Sequence, residues 1–287
     1  MSRITGAFAI GVSCMICTGW VGVNVKPLKK DRSELSATQS GTYYHLSDKE
    51  RKELVWMAKA ANAAYPNVPK PLGYRSLTID EWKRCTEGCD EFVYTEDGYF
   101  NVGDSGLRGR IMIGMLNDEK VILSFSGTDM TSLKDWCTNL GHALRLPMAQ
   151  YAQALKLMNG VLSLKPRTTL WIVGHSLGGS LATYVALHIP STGPITKCAT
   201  FNGYGVAKQL LDENVDLSLA AGRIRNVYCT GDPVYNHSEM IVNHYGPSYS
   251  LTAGKGLSTD MSIDLSQHGL EQMLKLMIAS RTGWPGM

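Results

Sequence analysis

The sequence is short of charge and has no repetitive bias. Asp, Glu, Lys and Arg make up 18% of its 287 residues, less than is usual, whereas the hydrophobic fraction of 44% is ordinary. This composition excludes disorder for the bulk of the chain. The 29 glycines and 11 prolines show no collagen-like period, and no repeat with a period of about 20–50 residues is found. The length suits one large domain or two small ones.

An excess of one sign of charge is also missing. The 28 basic residues nearly balance the 25 acidic ones, which leaves a formal net charge of +3. Lys and Arg form no dense stripe along the chain. Proteins that bind nucleic acid usually carry a concentrated basic surface, so we predict that nucleic acid is not a partner.

The cysteines indicate neither a disulfide framework nor a metal centre. There are seven, an odd number for a chain of this length. Cys198 and Cys229 lie in apolar runs and are expected to be buried thiols. Cys85 and Cys89 are close enough to form a disulfide in an oxidising compartment, but no further Cys or His lies nearby to complete a zinc site. We predict no metal and no cofactor.

The amino terminus lacks charge from Ile4 to Val25 and is followed by several basic residues. A segment of about 20 uncharged residues is long enough to span a bilayer. For residues 1–30 we therefore predict a membrane anchor or an export signal, and for the protein an exported or membrane-associated location. The alternative is a segment packed on the domain of a cytoplasmic protein. The polar residues 31–46 are predicted to be a linker, and residues 47–287 the folded domain.

Hydrophobic periodicity predicts alternating helices and strands over most of residues 47–287. Ser47 and Glu50 form a capping-box pattern that starts the first helix. Residues 65–108 are rich in Pro, Gly, Tyr and charge and are predicted to be irregular surface structure. The fold class is therefore α/β, with a mainly parallel sheet covered by helices on both faces. Strands are predicted at 111–115, 121–125, 170–173, 198–201 and 224–229, and further helices around 151–162, from 178 to Pro190, and at 270–277.

One segment has a pattern that carries chemistry, Gly174-His175-Ser176-Leu177-Gly178. The motif Gly-x-Ser-x-Gly is common by chance, but here an apolar strand precedes it and a helix follows, as a nucleophile elbow requires. The glycines allow a sharp turn, which is expected to expose the Ser176 hydroxyl above the sheet. The backbone N–H of Leu177, at the helix amino terminus, is predicted to be an oxyanion donor.

A serine hydroxyl needs a base to remove its proton, and an acid to orient that base. Asp232 follows a predicted strand and is the favoured acid, with Asp260 and Asp264 as alternatives. His268 opens the last helix after a long loop and is the favoured base. The alternative base is His244; His188 and His237 are placed less well. The second oxyanion donor is predicted to be Thr128, which follows Gly127 after the strand 121–125.

These residues resemble the class 3 (fungal-type) lipases of the α/β-hydrolase superfamily, over roughly residues 48–280. The resemblance rests on Ser124–Thr128, Leu133–Trp136 with Asn139-Leu140, Gly174–Gly179, Thr200–Gly203 and Gly231–Val234. It implies an α/β-hydrolase fold with Ser176 as nucleophile, Asp232 as acid, His268 as base and Thr128 and Leu177 as oxyanion donors. It also implies that Asp129–Gly141 is a lid region. Ser126 stands where the family commonly has an arginine that braces the oxyanion loop.

The predicted function is a serine hydrolase that cleaves carboxylic esters of lipids, either a triacylglycerol lipase or a phospholipase A-type enzyme. Its expected partners are a lipid or acyl-ester substrate and a membrane surface. Two other interpretations remain open at this point. One is an esterase or thioesterase acting on soluble substrates. The other is a lipase-like domain that binds lipid or a partner without catalysis.

Overall fold

The computed structural model describes residues 41–87, 91–103, 105–116, 120–127, 148–238, 242–252 and 269–279. Several predicted features lie outside these ranges: the apolar segment 1–30, Thr128, the lid region 129–141, His268 and Cys89. Among the residues that are described, no helix is both long enough and apolar enough to cross a membrane.

Helices and strands alternate along most of the described chain. The helices are α1 Asp48–Asn62, α2 Ile79–Cys85, α3 Met148–Leu164, α4 Leu177–Leu187, α5 Ala220–Arg223, α6 Pro233–Ser238 and α7 Leu270–Ala279. Short 3₁₀ turns lie at Tyr43–His45, Lys208–Leu210 and Leu217–Leu219. The strands are β1 Gly41–Thr42, β2 Tyr74–Ser76, β3 Phe92–Tyr94, β4 Tyr99–Val102, β5 Leu107–Gly114, β6 Lys120–Phe125, β7 Thr169–His175, β8 Thr196–Phe201, β9 Ile224–Cys229 and β10 Ser248–Leu251.

The described strands form one sheet in the order β1-β10-β9-β8-β7-β6-β5-β4-β3, with β2 paired to β5. Every neighbouring pair from β6 through β10 to β1 is parallel. The strands β2 to β6 pair in antiparallel fashion. The predicted α/β class with a mainly parallel sheet is confirmed. Because the carboxyl ends of parallel strands share one edge of a sheet, the loops that follow β6, β7, β8 and β9 converge there.

Helices cover both faces of the sheet, because successive strand residues point to opposite sides. In β6, Val121, Leu123 and Phe125 pack with α2, α3 and α4 in one core cluster. Ile122 and Trp171 pack on the other face with α1 and α7. The central strands β6 and β7 are thus largely apolar on both sides, as expected for a sheet buried between helices.

The predicted start of α1 is confirmed in its hydrogen bonds. The Ser47 side chain accepts a bond from the Glu50 N–H, and the Ser47 N–H donates to the Glu50 carboxylate at 3.0 Å. This capping box satisfies two backbone donors that have no carbonyl partner inside the helix.

The prediction that residues 65–108 are irregular surface structure is wrong. This region holds α2, β3 and β4, and Trp82 and Phe100 are buried in the core. The Trp82 ring stacks on Tyr94 at a centroid distance of 4.3 Å. The strands here have only three or four residues, too few for a recognisable alternation of polar and apolar side chains. They are ordered by antiparallel pairing, of β3 with β4 and of β2 and β4 with β5, which the local sequence does not reveal.

The last residues of the predicted linker pack on the domain. Gly41 and Thr42 form β1, which pairs in parallel with β10 near the other end of the chain. Tyr43 is fully buried, and its hydroxyl donates to the Arg51 carbonyl at 3.2 Å. The folded domain therefore begins no later than residue 41, because a partner strand about 200 residues away orders this segment.

Candidate active site

Ser176 occupies a strained turn between β7 and α4. Its backbone angles are φ 57° and ψ −129°, a conformation that non-glycine residues rarely adopt. The turn is held from outside: the Ser176 N–H donates to the Phe201 carbonyl at 3.2 Å, and the Ser176 carbonyl accepts from Gly179 and Tyr204 at 2.9 Å each. Surrounding structure therefore compensates for the backbone strain at this serine.

The glycines of the motif are required by close backbone contacts. A Cβ added to Gly174 would lie 2.0 Å from the Gly178 carbonyl oxygen. One added to Gly178 would lie 2.3 Å from the Phe125 carbonyl oxygen, at the end of β6. Neither contact is tolerable for a side chain, because both obstacles are backbone atoms. The predicted need for glycine on both sides of the serine is confirmed.

The Ser176 side chain differs from expectation in one respect, since it is only 1% exposed rather than open above the sheet. The loop after β6 covers it: a Cβ built on Gly127 would lie 2.7 Å from the Ser176 Cβ and 3.2 Å from Oγ. Among the described residues, Oγ has no hydrogen-bond partner. A buried hydroxyl normally makes a hydrogen bond, so this atom is available to a group that the described ranges do not include.

Leu177, one of the two predicted oxyanion donors, is the first residue of α4. An N–H at this position has no carbonyl partner within its own helix and lies at the positive end of the helix dipole. Thr128, the other predicted donor, lies outside the described residues. Gly127 directly precedes it and touches Ser176, so the chain enters that stretch beside the serine.

Tyr65 was not among the predicted site residues. It joins the Gly127 loop to the end of β7. The Gly127 N–H donates to the Tyr65 hydroxyl at 3.1 Å, and that hydroxyl lies 2.6 Å from His175 Nδ1. Burial raises the pKa of Tyr65 to about 12, so the phenol keeps its proton. The same hydroxyl therefore accepts from the Gly127 N–H and is hydrogen-bonded to the His175 ring.

The positively charged guanidinium of Arg108, on β5, lies beside the Gly127 loop. Its Nη2 lies 3.5 Å from the Gly127 carbonyl oxygen. Its own carbonyl accepts from the Ser126 N–H at 3.0 Å and from the Ser126 hydroxyl at 3.3 Å. A guanidinium from the neighbouring strand thus lies beside the loop in which the resembled family commonly has an arginine. The register of the β5–β6 hairpin, extended by one residue, places Arg108 opposite Ser126 and could have indicated this residue.

Asp232 follows β9 as predicted and is fully buried. Its Oδ1 accepts a hydrogen bond from the Tyr235 N–H at 2.7 Å, so the carboxylate caps α6. Pro233, the next residue, is the first residue of that helix. Only β8 lies between the strands that precede Ser176 and Asp232. The ends of β7 and β9 are therefore two strand spacings of about 4.8 Å apart. A gap of that width can accommodate one imidazole ring between the two side chains.

The histidines that the structure describes downstream of Ser176 have different surroundings. His244 Nε2 lies 2.8 Å from the Ser238 hydroxyl, and its ring packs on Tyr235 at 4.2 Å. His188, at the end of α4, has Nδ1 2.8 Å from the Tyr184 carbonyl oxygen and Nε2 3.4 Å from the Asp212 carboxylate. His237 lies in α6.

The described residues offer no group of three or more His, Cys, Asp or Glu side chains placed to hold a metal ion. The buried thiols near the sheet are also poor candidates for ligands. Burial, together with the charge of Asp232, raises the pKa of Cys229 to about 12. Burial alone raises the pKa of Cys198. Both therefore remain neutral thiols at physiological pH, whereas metals bind thiolates.

Several solved structures, most of them lipases by name, are similar to this chain. A mutant form of the protein MDLA from Penicillium cyclopium is 20% identical and aligns with a TM-score of 0.47, covering 76% of this chain and 90% of that one. The Rhizomucor miehei lipase–propeptide complex is 15% identical, with a TM-score of 0.48, covering 78% and 77%.

Sequence comparisons place the chain among phospholipases. An extracellular phospholipase A1 of Serratia liquefaciens is 29% identical over 185 residues, which is 58% of this chain and 55% of that protein. The chain thus spans about half the length of that relative. Residues 56–267 match the phospholipase-like family described as the Tle-like phospholipase domain. The matched range includes the Ser176 elbow, the Gly127 loop and Asp232. The chain therefore belongs to the Tle-like phospholipase domain family.

Proposed function

We propose that this protein is a phospholipase A-type enzyme that cleaves a fatty-acyl ester of a glycerophospholipid through an acyl-enzyme. The observation that carries the proposal is the strained Ser176 turn, held between the Gly127 loop and the amino terminus of α4. Strain at a buried serine with no hydrogen-bond partner among the described residues is characteristic of a nucleophile. The phospholipase A1 relative supports the substrate class.

In this mechanism Ser176 Oγ attacks the ester carbonyl while His268 accepts its proton. The tetrahedral oxyanion is stabilised by the N–H groups of Leu177 and Thr128. His268 then gives its proton to the leaving glycerol oxygen, the C–O bond breaks, and the acyl group stays on Ser176. A water molecule, deprotonated by the same imidazole, releases the fatty acid.

Asp232 is the group that would orient the imidazole and stabilise its protonated form. Its position supports this role, because its carboxylate is buried at the same sheet edge as Ser176 and is already fixed through Oδ1. A rigid carboxylate holds an imidazole in one tautomer and one orientation. His244 is the less suitable base. Ser238 Oγ donates to the Tyr235 carbonyl at 2.7 Å, so the same hydroxyl accepts from His244 Nε2–H.

The same proposal includes contact with a membrane surface and export from the cell. The substrate of a phospholipase A lies in a lipid aggregate, so the enzyme must reach that surface. The name of the Serratia relative places that protein outside the cell. The uncharged stretch from Ile4 to Val25 has the length and composition of an export signal or an anchor.

Fatty-acid release from matched substrates tests the proposal. The full chain is incubated with acyl esters of increasing chain length and with mixed phospholipid vesicles, and lysophospholipid and free fatty acid are quantified. We expect equimolar release of both products from phospholipid, and a rate that rises when the substrate forms an interface. Release confined to short soluble esters would indicate an esterase or thioesterase instead. A folded protein without any release would indicate a binding module, and both results contradict the proposal.

Tyr65→Phe is expected to lower kcat by about ten-fold or more while KM changes little. The substitution leaves the buried Gly127 N–H without its acceptor, which costs about 1–3 kcal/mol of stability and frees the loop that touches Ser176. Steady-state kinetics and thermal unfolding measure the two effects. Tyr94→Phe is the matched control, because it also loses a bond between a tyrosine hydroxyl and a backbone group, in this case one donated to the Leu77 carbonyl at 2.9 Å. Equal changes in kcat for the two variants would refute a specific role for Tyr65.

A further inference from the structure

Arg108 and Arg110 point to the same face of β5 but have different surroundings. Arg110 is 2% exposed, and its guanidinium binds the Asp97 carboxylate and the Val68 carbonyl oxygen, each at 2.6 Å. Arg108 is partly exposed, and among the described residues no carboxylate pairs with it. Arg110 is thus a buried member of an ion pair. Arg108, on the same face of β5, has no carboxylate partner among the described residues.

The contacts of Arg108 leave most of its donors available. Its hydrogen bond to the Gly127 carbonyl is 3.5 Å long, at the limit for such a bond. Tyr99 also contacts Arg108, since both a side-chain hydrogen bond and the Arg108 charge favour the ionised phenol, although burial still raises the pKa of Tyr99. A guanidinium has five N–H donors in a planar fork, which suits two oxygens of one phosphate or carboxylate.

Arg108 also lies at the edge of the sheet where Ser176 is found. β5 runs antiparallel to β6, so the start of β5 lies beside the end of β6. The guanidinium contacts Gly127, and a Cβ on Gly127 would be 3.2 Å from Ser176 Oγ. Adding these distances through standard bond lengths puts Nη2 within about 11 Å of the nucleophile.

We propose that Arg108 binds the phosphodiester of the glycerophospholipid and so selects phospholipids over neutral acylglycerols. The assignment rests on the proposed function and specifies the substrate class. In a glycerophospholipid the scissile ester and the phosphate are joined through the glycerol backbone, which spans roughly 6–8 Å when extended. A phosphate at that distance from an ester held at Ser176 falls within reach of Arg108. A neutral acylglycerol has no anionic group that could form an ion pair with Arg108.

The test compares two substrates with identical acyl chains, dioleoyl phosphatidylcholine and dioleoylglycerol, each in mixed micelles with a nonionic detergent. The measured quantity is the ratio of kcat/KM for the phospholipid to kcat/KM for the diacylglycerol. We expect Arg108→Gln to lower this ratio at least ten-fold, because the charge is lost. Arg108→Lys keeps the charge but not the planar fork, so its ratio should fall between those of wild type and Arg108→Gln.

Arg225→Gln is the matched control. Arg225 is also partly exposed and also donates to a carbonyl oxygen, that of Ala221 at 2.8 Å, but it lies near the start of β9 at the opposite edge of the sheet. Its substitution should leave the ratio at the wild-type value. An equal fall for both arginine variants would mean a general charge effect at the micelle surface and would overturn the proposal. An unchanged kcat/KM ratio in Arg108→Gln would also overturn the proposal, even if kcat/KM fell for both substrates. Arg108 would then act only through its contact with the Gly127 loop.

A binding measurement separates this proposal from the proposed function. In the Ser176→Ala background, monomeric dihexanoyl phosphatidylcholine and dihexanoylglycerol are titrated against protein with and without Arg108→Gln. The added substitution should weaken binding of the phospholipid at least ten-fold more than binding of the diacylglycerol. Such a loss would support Arg108 as the phosphate contact even if wild-type protein released no fatty acid. Equal affinities with and without Arg108 would overturn it even if phospholipid hydrolysis were established.

Discussion

Ser176→Ala is expected to abolish fatty-acid release, with a loss of kcat on the order of 10⁶-fold. The substitution removes the only atom proposed to bond to the acyl carbon, and the remaining oxyanion donors provide a small residual rate. The variant should fold normally. Alanine lacks only a hydroxyl that has no hydrogen-bond partner among the described residues, so no buried bond between those residues is broken. Release of free fatty acid from phospholipid vesicles and thermal unfolding measure the two properties.

Ser180→Ala provides the control on the same helix. Ser180 is as buried as Ser176, but its hydroxyl lies 2.6 Å from the Tyr151 hydroxyl and donates to the Gly205 carbonyl at 2.8 Å. Its removal should lower stability by about 1–3 kcal/mol, because it leaves buried polar groups unpaired, and should preserve turnover. If Ser176→Ala kept substantial activity, Ser176 would be no more than a residue in a tight turn and the acyl-enzyme mechanism would be wrong.

His268→Ala is expected to lower kcat nearly as much as Ser176→Ala, again by about 10⁶-fold, because nucleophile and base act as a unit. His244→Ala is expected to leave kcat within a few-fold of wild type and to reduce stability. The structure supports this difference, since His244 Nε2 is engaged by Ser238 and its ring packs on Tyr235. The pH dependence of kcat/KM should show the titration of a single base in wild type and in His244→Ala.

The double variant Ser176→Ala/His268→Ala adds a test of the partnership. Its residual rate should equal that of Ser176→Ala alone, because removing the base of an absent nucleophile has no further effect. A reversed pattern, with His244→Ala inactive and His268→Ala active, would reassign the base. It would then require His244 to leave Ser238 during turnover.

Local sequence patterns were sufficient for the regular, apolar part of the fold. The runs at 121–125, 170–173 and 224–229 became β6, β7 and β9. The first two are nearly continuous apolar runs, because β6 and β7 are buried on both faces. The capping box at Ser47 and the turn at Ser176 were also evident, since each depends on residues within a few positions of one another. Asp232 was predicted from its place after a strand, and it does lie shortly after β9.

Where structure depends on distant partners, the same patterns failed. Residues 65–108 looked irregular because β3 and β4 have only three and four residues, yet pairing of β3 with β4 and of β4 with β5 orders them. Tyr65 lies 110 positions from His175, and no local signal links it to the serine motif. Burial of the Ser176 hydroxyl was missed for the same reason, because the covering residue, Gly127, comes from another strand end.

The sequence alone thus determined the α/β class and the position of the elbow. Both follow from short-range rules: side-chain period, helix capping and the steric demands of a glycine-flanked turn. The tertiary structure decided which groups surround that serine. It brought Tyr65 from the end of α1 and Arg108 from β5 to the Gly127 loop, and engaged His244 with Ser238. Such contacts depend on strand order and register, which are set by burial of the whole sheet rather than by any single segment.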